Sequence, residues 1–69
     1  MRITQEEYFR AIHLYETSGQ REKGIRMGQY LMNNLAPKET NAKIFYEGNE
    51  AKAKRLFVET YVDPAYPNT

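Results

Sequence analysis

The tightest constraint on this chain is how little it has to staple itself together. Its 69 residues contain no cysteine and one histidine, His13. Domains this short bury a modest share of their surface and commonly lean on a disulfide, a metal or an oligomer. The missing cysteines exclude a disulfide and fit a reducing compartment, and one histidine cannot make a zinc site of the usual kind. No cofactor is expected. The chain must close one small domain with its own apolar side chains, or share their burial with a second copy.

Those side chains recur at helical spacing. Thr4 and Glu7 stand three apart, as in a capping box, with Ile3 and Tyr8 placed to close a hydrophobic staple. Tyr8, Ala11, Ile12 and Tyr15 then form one stripe, which Phe9 and Leu14 widen, and Glu6 and Arg10 pair on the outside. Gly19 is a natural left-handed cap for the end of this first helix. A second helix is predicted from about Gln20 to Leu35. Ile25, Gly28, Leu31, Met32 and Leu35 form its inner side, Glu22 and Arg26 pair outside, and Pro37 stops it.

Gly24 and Gly28 each cost about 1 kcal/mol against alanine inside a helix, so a compensating gain is expected. Close approach of the first helix, near Ala11 and Tyr15, supplies one; a partner-facing groove is the alternative. Thr40 or Asn41 caps a helical turn through Ile44, Phe45 and Tyr46, with a short extended piece as the rival. A third long helix starts at Asn49, with Ala53, Leu56, Phe57, Thr60 and Tyr61 inward and Glu50 and Lys54 paired outside. A strand from Leu56 is its rival. The predicted fold is all-α: three helices plus one short helical turn over residues 1–63, then a loose C-terminal tail, 64–69.

Little here points to catalysis. The hydroxyls of Thr4, Thr17, Ser18, Thr40, Thr60 and Thr69 mostly fall at caps and turns, and no activated nucleophile stands beside a base. Glu6 and Glu7 diverge by about 100° on a helix and cannot share a reacting atom. "GIRMG" lacks the lysine and preceding strand of a phosphate loop. His13 reads as a structural or exposed residue, and an enzyme is not expected. No apolar run approaches the length of a membrane span, and the N-terminus shows no hydrophobic leader, so a cytoplasmic protein without membrane contact is the default expectation.

Ten basic and nine acidic side chains leave a net charge of +1. That gives no global pull towards nucleic acid. Locally, Arg21, Lys23 and Arg26 open the second helix after a glycine turn, which makes a nucleic-acid-binding helical hairpin the alternative function. The fit is poor, because Tyr15 stands where a small residue belongs. Lys52, Lys54 and Arg55 read as a solvated helix face.

"RMGQYLMNNLAP" and "IFYEGNEAKAKRLFVETYV" resemble segments of small uncharacterised proteins encoded by bacteriophages, with a basic-Gly-Gln-aromatic-Leu-x-Asn helix followed by a "FY" element. The resemblance spans roughly residues 21–62 and carries no functional residue over. It implies expression in the cytoplasm of an infected bacterium and binding to a host or phage protein. The function expected is therefore that of a non-catalytic accessory or interaction protein. Met27, Tyr30, Val58, Val62 and Tyr66 fall off the inner stripes and are the candidate partner-binding residues. Two outcomes are open for them: burial in an isologous homodimer, or cover by the tail.

Overall fold

A computed structural model describes residues 2–64. It is all-α, with helices α1 (Gln5–Thr17), α2 (Met27–Leu35), α3 (Ala42–Phe45) and α4 (Glu50–Tyr61). The described residues hold no strand; their one bridge pairs Ile3 with Val62 in parallel. Neither "KIFYE" nor "LFVETYV" forms a strand, because Asn41 and Asn49 cap helices across them, accepting from the Ile44 and Lys52 amides; of "LFVETYV" only Val62, after the helix, is extended. The tail lies outside the described residues from position 65 on, and with it Tyr66.

α1 begins as its sequence dictates. The Glu7 amide donates to the Thr4 hydroxyl at 3.1 Å, and the Thr4 amide donates back to the Glu7 carboxylate at 3.0 Å. Its last turn closes where Ser18 donates to the Leu14 carbonyl, and Gly19 follows at φ +74°. Tyr8, Ala11 and Tyr15 are buried as the stripe predicts. Phe9 and Leu14 are not: they are 60 % and 47 % exposed. Five residues apart, they sit about 140° from each other around the helix, on opposite flanks of a narrow buried stripe. Likewise, Thr60 of α4 is exposed, while Ala53, Phe57 and Tyr61 carry that helix's burial.

The second helix is shorter than its pattern predicts, starting at Met27 and not at Gln20. The cause is Gly24. It stands at φ +85°, with the Gly24 amide donating to the Arg21 carbonyl and the Ile25 amide to the Gln20 carbonyl. That paired closure around a left-handed glycine is a Schellman ending, so Gly24 terminates one turn of coil instead of packing a helix. Arg26 is then extended and caps α2 without a side-chain hydrogen bond. Glu22 and Arg26 do not share a helix, and their i,i+4 pair is not formed.

Gly28 does mark a close approach, but to a different element. A Cβ built there would lie 1.9 Å from the Ile44 carbonyl oxygen, so α2 rests on the backbone of α3, not of α1. α2 is the central element, touching α1, α3 and α4. Leu31 and Met32 of α2, Ile44 of α3 and Phe57 of α4 meet in the core, with Tyr8 stacked on Phe57 at 6.2 Å.

The two ends of the domain close on each other. The Ile3 amide donates to the Tyr61 carbonyl at 2.9 Å, and the Asp63 amide donates to the Ile3 carbonyl at 2.8 Å. Arg2 pairs with the Asp63 carboxylate, and the Gln5 side chain donates to the Asp63 carbonyl. Val62 is buried in this clasp.

Candidate functional site

The residues singled out by sequence are dispersed. Met27 and Val62 are 1 % and 5 % exposed and belong to the core, so neither offers a surface to a partner. Their helical register misled, because α2 starts at Met27 and the chain turns extended at Val62. Val58 is half-buried against the core. Tyr30 is half-buried too, its ring edge-on to Tyr15 at 5.4 Å.

Arg21, Lys23 and Arg26 lie in the connection between α1 and α2, not on a helix that could enter a groove of DNA. Arg21 is committed to protein carboxylates. Its guanidinium donates to Glu50 at 2.7 and 2.8 Å and to Glu16 at 3.0 and 3.1 Å, and sits 5.2 Å over the Tyr15 ring. These hydrogen bonds hold the Glu50 carboxyl below its ordinary range. They also supersede the expected Glu50–Lys54 pair. Beneath Arg21, the Tyr15 hydroxyl donates to the Ile25 carbonyl at 2.6 Å. Burial, with Glu50 adding to it, pushes the Tyr15 phenol above its ordinary range. This cluster is a structural clamp: it ties the end of α1 and the connection after it to the start of α4.

Among the described residues, two concave surfaces stand out. One hollow, of about 280 Å³, is lined by Glu39, Thr40, Asn41, Ala42, Phe45 and Tyr46. Tyr46 caps α3 with its amide shared between the Ala42 and Ile44 carbonyls, and its ring stands edge-on to Phe45 at 4.9 Å. The residue is 66 % exposed. The other is a groove of about 260 Å³ between α1 and α2, lined by Glu7, Arg10, Ala11, Leu14, Tyr30, Asn34 and Leu35.

Of these groove and hollow residues, only Tyr30 stood among the sequence candidates. By sequence, Tyr46 belongs to a helical turn and Leu14 to the widened apolar face of α1. The signal that could have found Leu14 was its angle from Tyr8 and Tyr15; none of that kind existed for Tyr46, whose four-residue helix is too short to show a period.

His13 is exposed, and its carbonyl accepts from Thr17. Among the described residues no group of three or more His, Asp or Glu side chains could hold a metal ion, and no helix is long and apolar enough to cross a membrane. Comparison with known proteins leaves the arrangement to stand by itself, since no family model, curated protein or solved structure matches the chain.

Proposed function

We propose that this chain is a non-catalytic interaction protein that binds a protein partner through the surface around Tyr46. The observation that carries the reading is a large, amphipathic ring left mostly exposed on a rigid support. α3 is pinned to α2 by the Gly28–Ile44 backbone approach and capped at both ends. On a fixed backbone, a tyrosine has only two side-chain torsions to lose when covered, which is one reason such residues anchor interfaces. The adjoining hollow offers Phe45 as an apolar floor and Glu39, Thr40 and Asn41 as a polar rim. The partner is a protein of a bacterial host or of the phage itself, the context that the resemblance over residues 21–62 implies.

The test is affinity capture from bacterial lysate with wild-type protein beside Tyr46→Ala and Phe45→Ala/Tyr46→Ala variants. A specific prey should be held by the wild type and lost by both variants, while their helical circular dichroism stays unchanged. Identical recoveries from wild type and variants would remove Tyr46 from the reading.

A further inference from the structure

We infer that the chain beyond Pro64 runs back along α1 and covers Phe9 with the ring of Tyr66. This surface is separate from the one around Tyr46, and the two readings stand or fall independently.

Phe9 is an aromatic side chain that the described elements leave open. Its ring meets that of Tyr8 edge-on at 5.2 Å, yet the residue is 60 % exposed. Val62, which the tail could also have covered, is already buried in the clasp with Ile3. That leaves the segment after the clasp free to meet other apolar surface nearby.

The clasp also sets the direction in which the chain leaves it. Val62 pairs with Ile3 in parallel, so both segments head the same way, towards the start of α1. There the Gln5 side chain donates to the Asp63 carbonyl at 2.9 Å, which holds Asp63 against the first turn of the helix. Phe9 is four residues on from Gln5. It therefore stands on the same face one turn further, about 6 Å along the axis. Ile12, half-buried against the core, follows on that flank. Gln5, Phe9 and Ile12 thus form a track that begins where Asp63 is held.

Reach and composition fit this track. Tyr66 is three residues past Asp63, and three extended residues span about 10 Å, more than the rise of one helical turn. Within "PAYPNT", residues 64–69, Tyr66 is the one large side chain with apolar surface to offer. Pro64 and Pro67 favour extended backbone at the residues before them, Asp63 and Tyr66. A segment restricted in this way has less freedom to lose on docking than an ordinary run. Two aromatic rings in contact also gain beyond the area they bury. With Phe9 covered by its own chain, it is not a second surface for a partner.

Nuclear magnetic resonance of the full chain tests this directly. Nuclear Overhauser contacts should join the Tyr66 and Phe9 rings. In a mixture of isotope-labelled and unlabelled protein, isotope-filtered spectra should place those contacts within one copy. Their absence, or their appearance between copies, would overturn the proposal. A double-mutant cycle in urea supplies the energetic arm. Tyr66→Ala should lower the folding equilibrium constant about three- to tenfold in the wild type and hardly change it in the Phe9→Ala background. Phe9 is exposed, so its truncation leaves the core intact. Equal effects of Tyr66→Ala in the two backgrounds would show that the side chains do not meet.

Discussion

Gly28 and Gly24 show how one residue type answers two unrelated demands. At Gly28 the demand is space. Any Cβ would collide with the Ile44 carbonyl, a backbone atom that cannot swing aside. Gly28→Ala should therefore destabilise by about 3 kcal/mol, at the upper end for overpacking, measured as a drop in urea midpoint with little change in slope. At Gly24 the demand is conformation: nothing lies within 4 Å of its Cβ position, but φ is +85°. Gly24→Ala should cost about 1–2 kcal/mol, the penalty of a left-handed residue, and Gly24→Asn less. A larger loss at Gly24 than at Gly28 in parallel urea titrations would reverse this assignment. Tyr15 meets a third demand, since its hydroxyl satisfies the Ile25 carbonyl at the edge of the core. Tyr15→Phe should cost about 1–2 kcal/mol by leaving that acceptor unpaired.

At the scale of elements, the caps explain which helices are secure. α1, α3 and α4 each begin with a side chain accepting a backbone amide; α2 begins at Arg26, which has none to offer. Arg26 is already extended, as a capping residue must be. Arg26→Asp should raise stability by about 1 kcal/mol, read as a higher melting temperature, through a new cap and a negative charge at the helix start. The clamp on α4 has a pH signature. The Arg21 hydrogen bonds hold the folded-state pKa of Glu50 below its unfolded value. Their contribution is therefore complete above the ordinary carboxylate range and is lost as pH falls through the folded pKa. The gap in melting temperature between wild type and Arg21→Gln should be widest near neutrality and close on acidification. Both partners are part-exposed, so the gap should also shrink with salt. The phenols of Tyr8 and Tyr15 are shifted the other way, upward by burial. Stability from keeping them neutral is complete below the usual tyrosine pKa and declines as pH rises through the folded values, so the domain should weaken above about pH 10.

For the whole molecule, the decisive contact joins the chain's two ends. Ile3, buried and bonded to Tyr61 and Asp63, ties the segment before α1 to the end of α4. Ile3→Ala should cost about 2–4 kcal/mol, checked by chemical denaturation, as a buried methylene deletion that also loosens this closure. Far-ultraviolet circular dichroism of the wild type should be dominated by helix. The charge distribution makes a further prediction. With a net charge of +1 and Arg21 held by two carboxylates, binding to duplex DNA should be weak and vanish as salt approaches physiological strength. Sequence-specific binding retained at that salt would favour the nucleic-acid reading.

The local signals were legible in the sequence alone. Thr4 with Glu7 and Asn49 announced where two helices start, Thr40 or Asn41 bracketed the start of a third, and the stripe through Tyr8, Ala11 and Tyr15 announced what α1 buries. Each depends on residues within about two turns of one another, and that range is what periodicity and capping chemistry encode. Only the tertiary structure decided the rest. Whether Gly24 sits inside a helix or ends one depends on the chain reversing after α1. Whether Gly28 faces α1 or α3 depends on which backbone arrives there. The clasp between Ile3 and Val62 joins residues 59 apart, and no local pattern distinguishes a valine that completes it from one left for a partner. Phe9, Leu14 and Tyr46 stayed exposed for the same reason: burial is set by how much surface the neighbouring elements cover, and a small domain cannot cover every apolar side chain it carries.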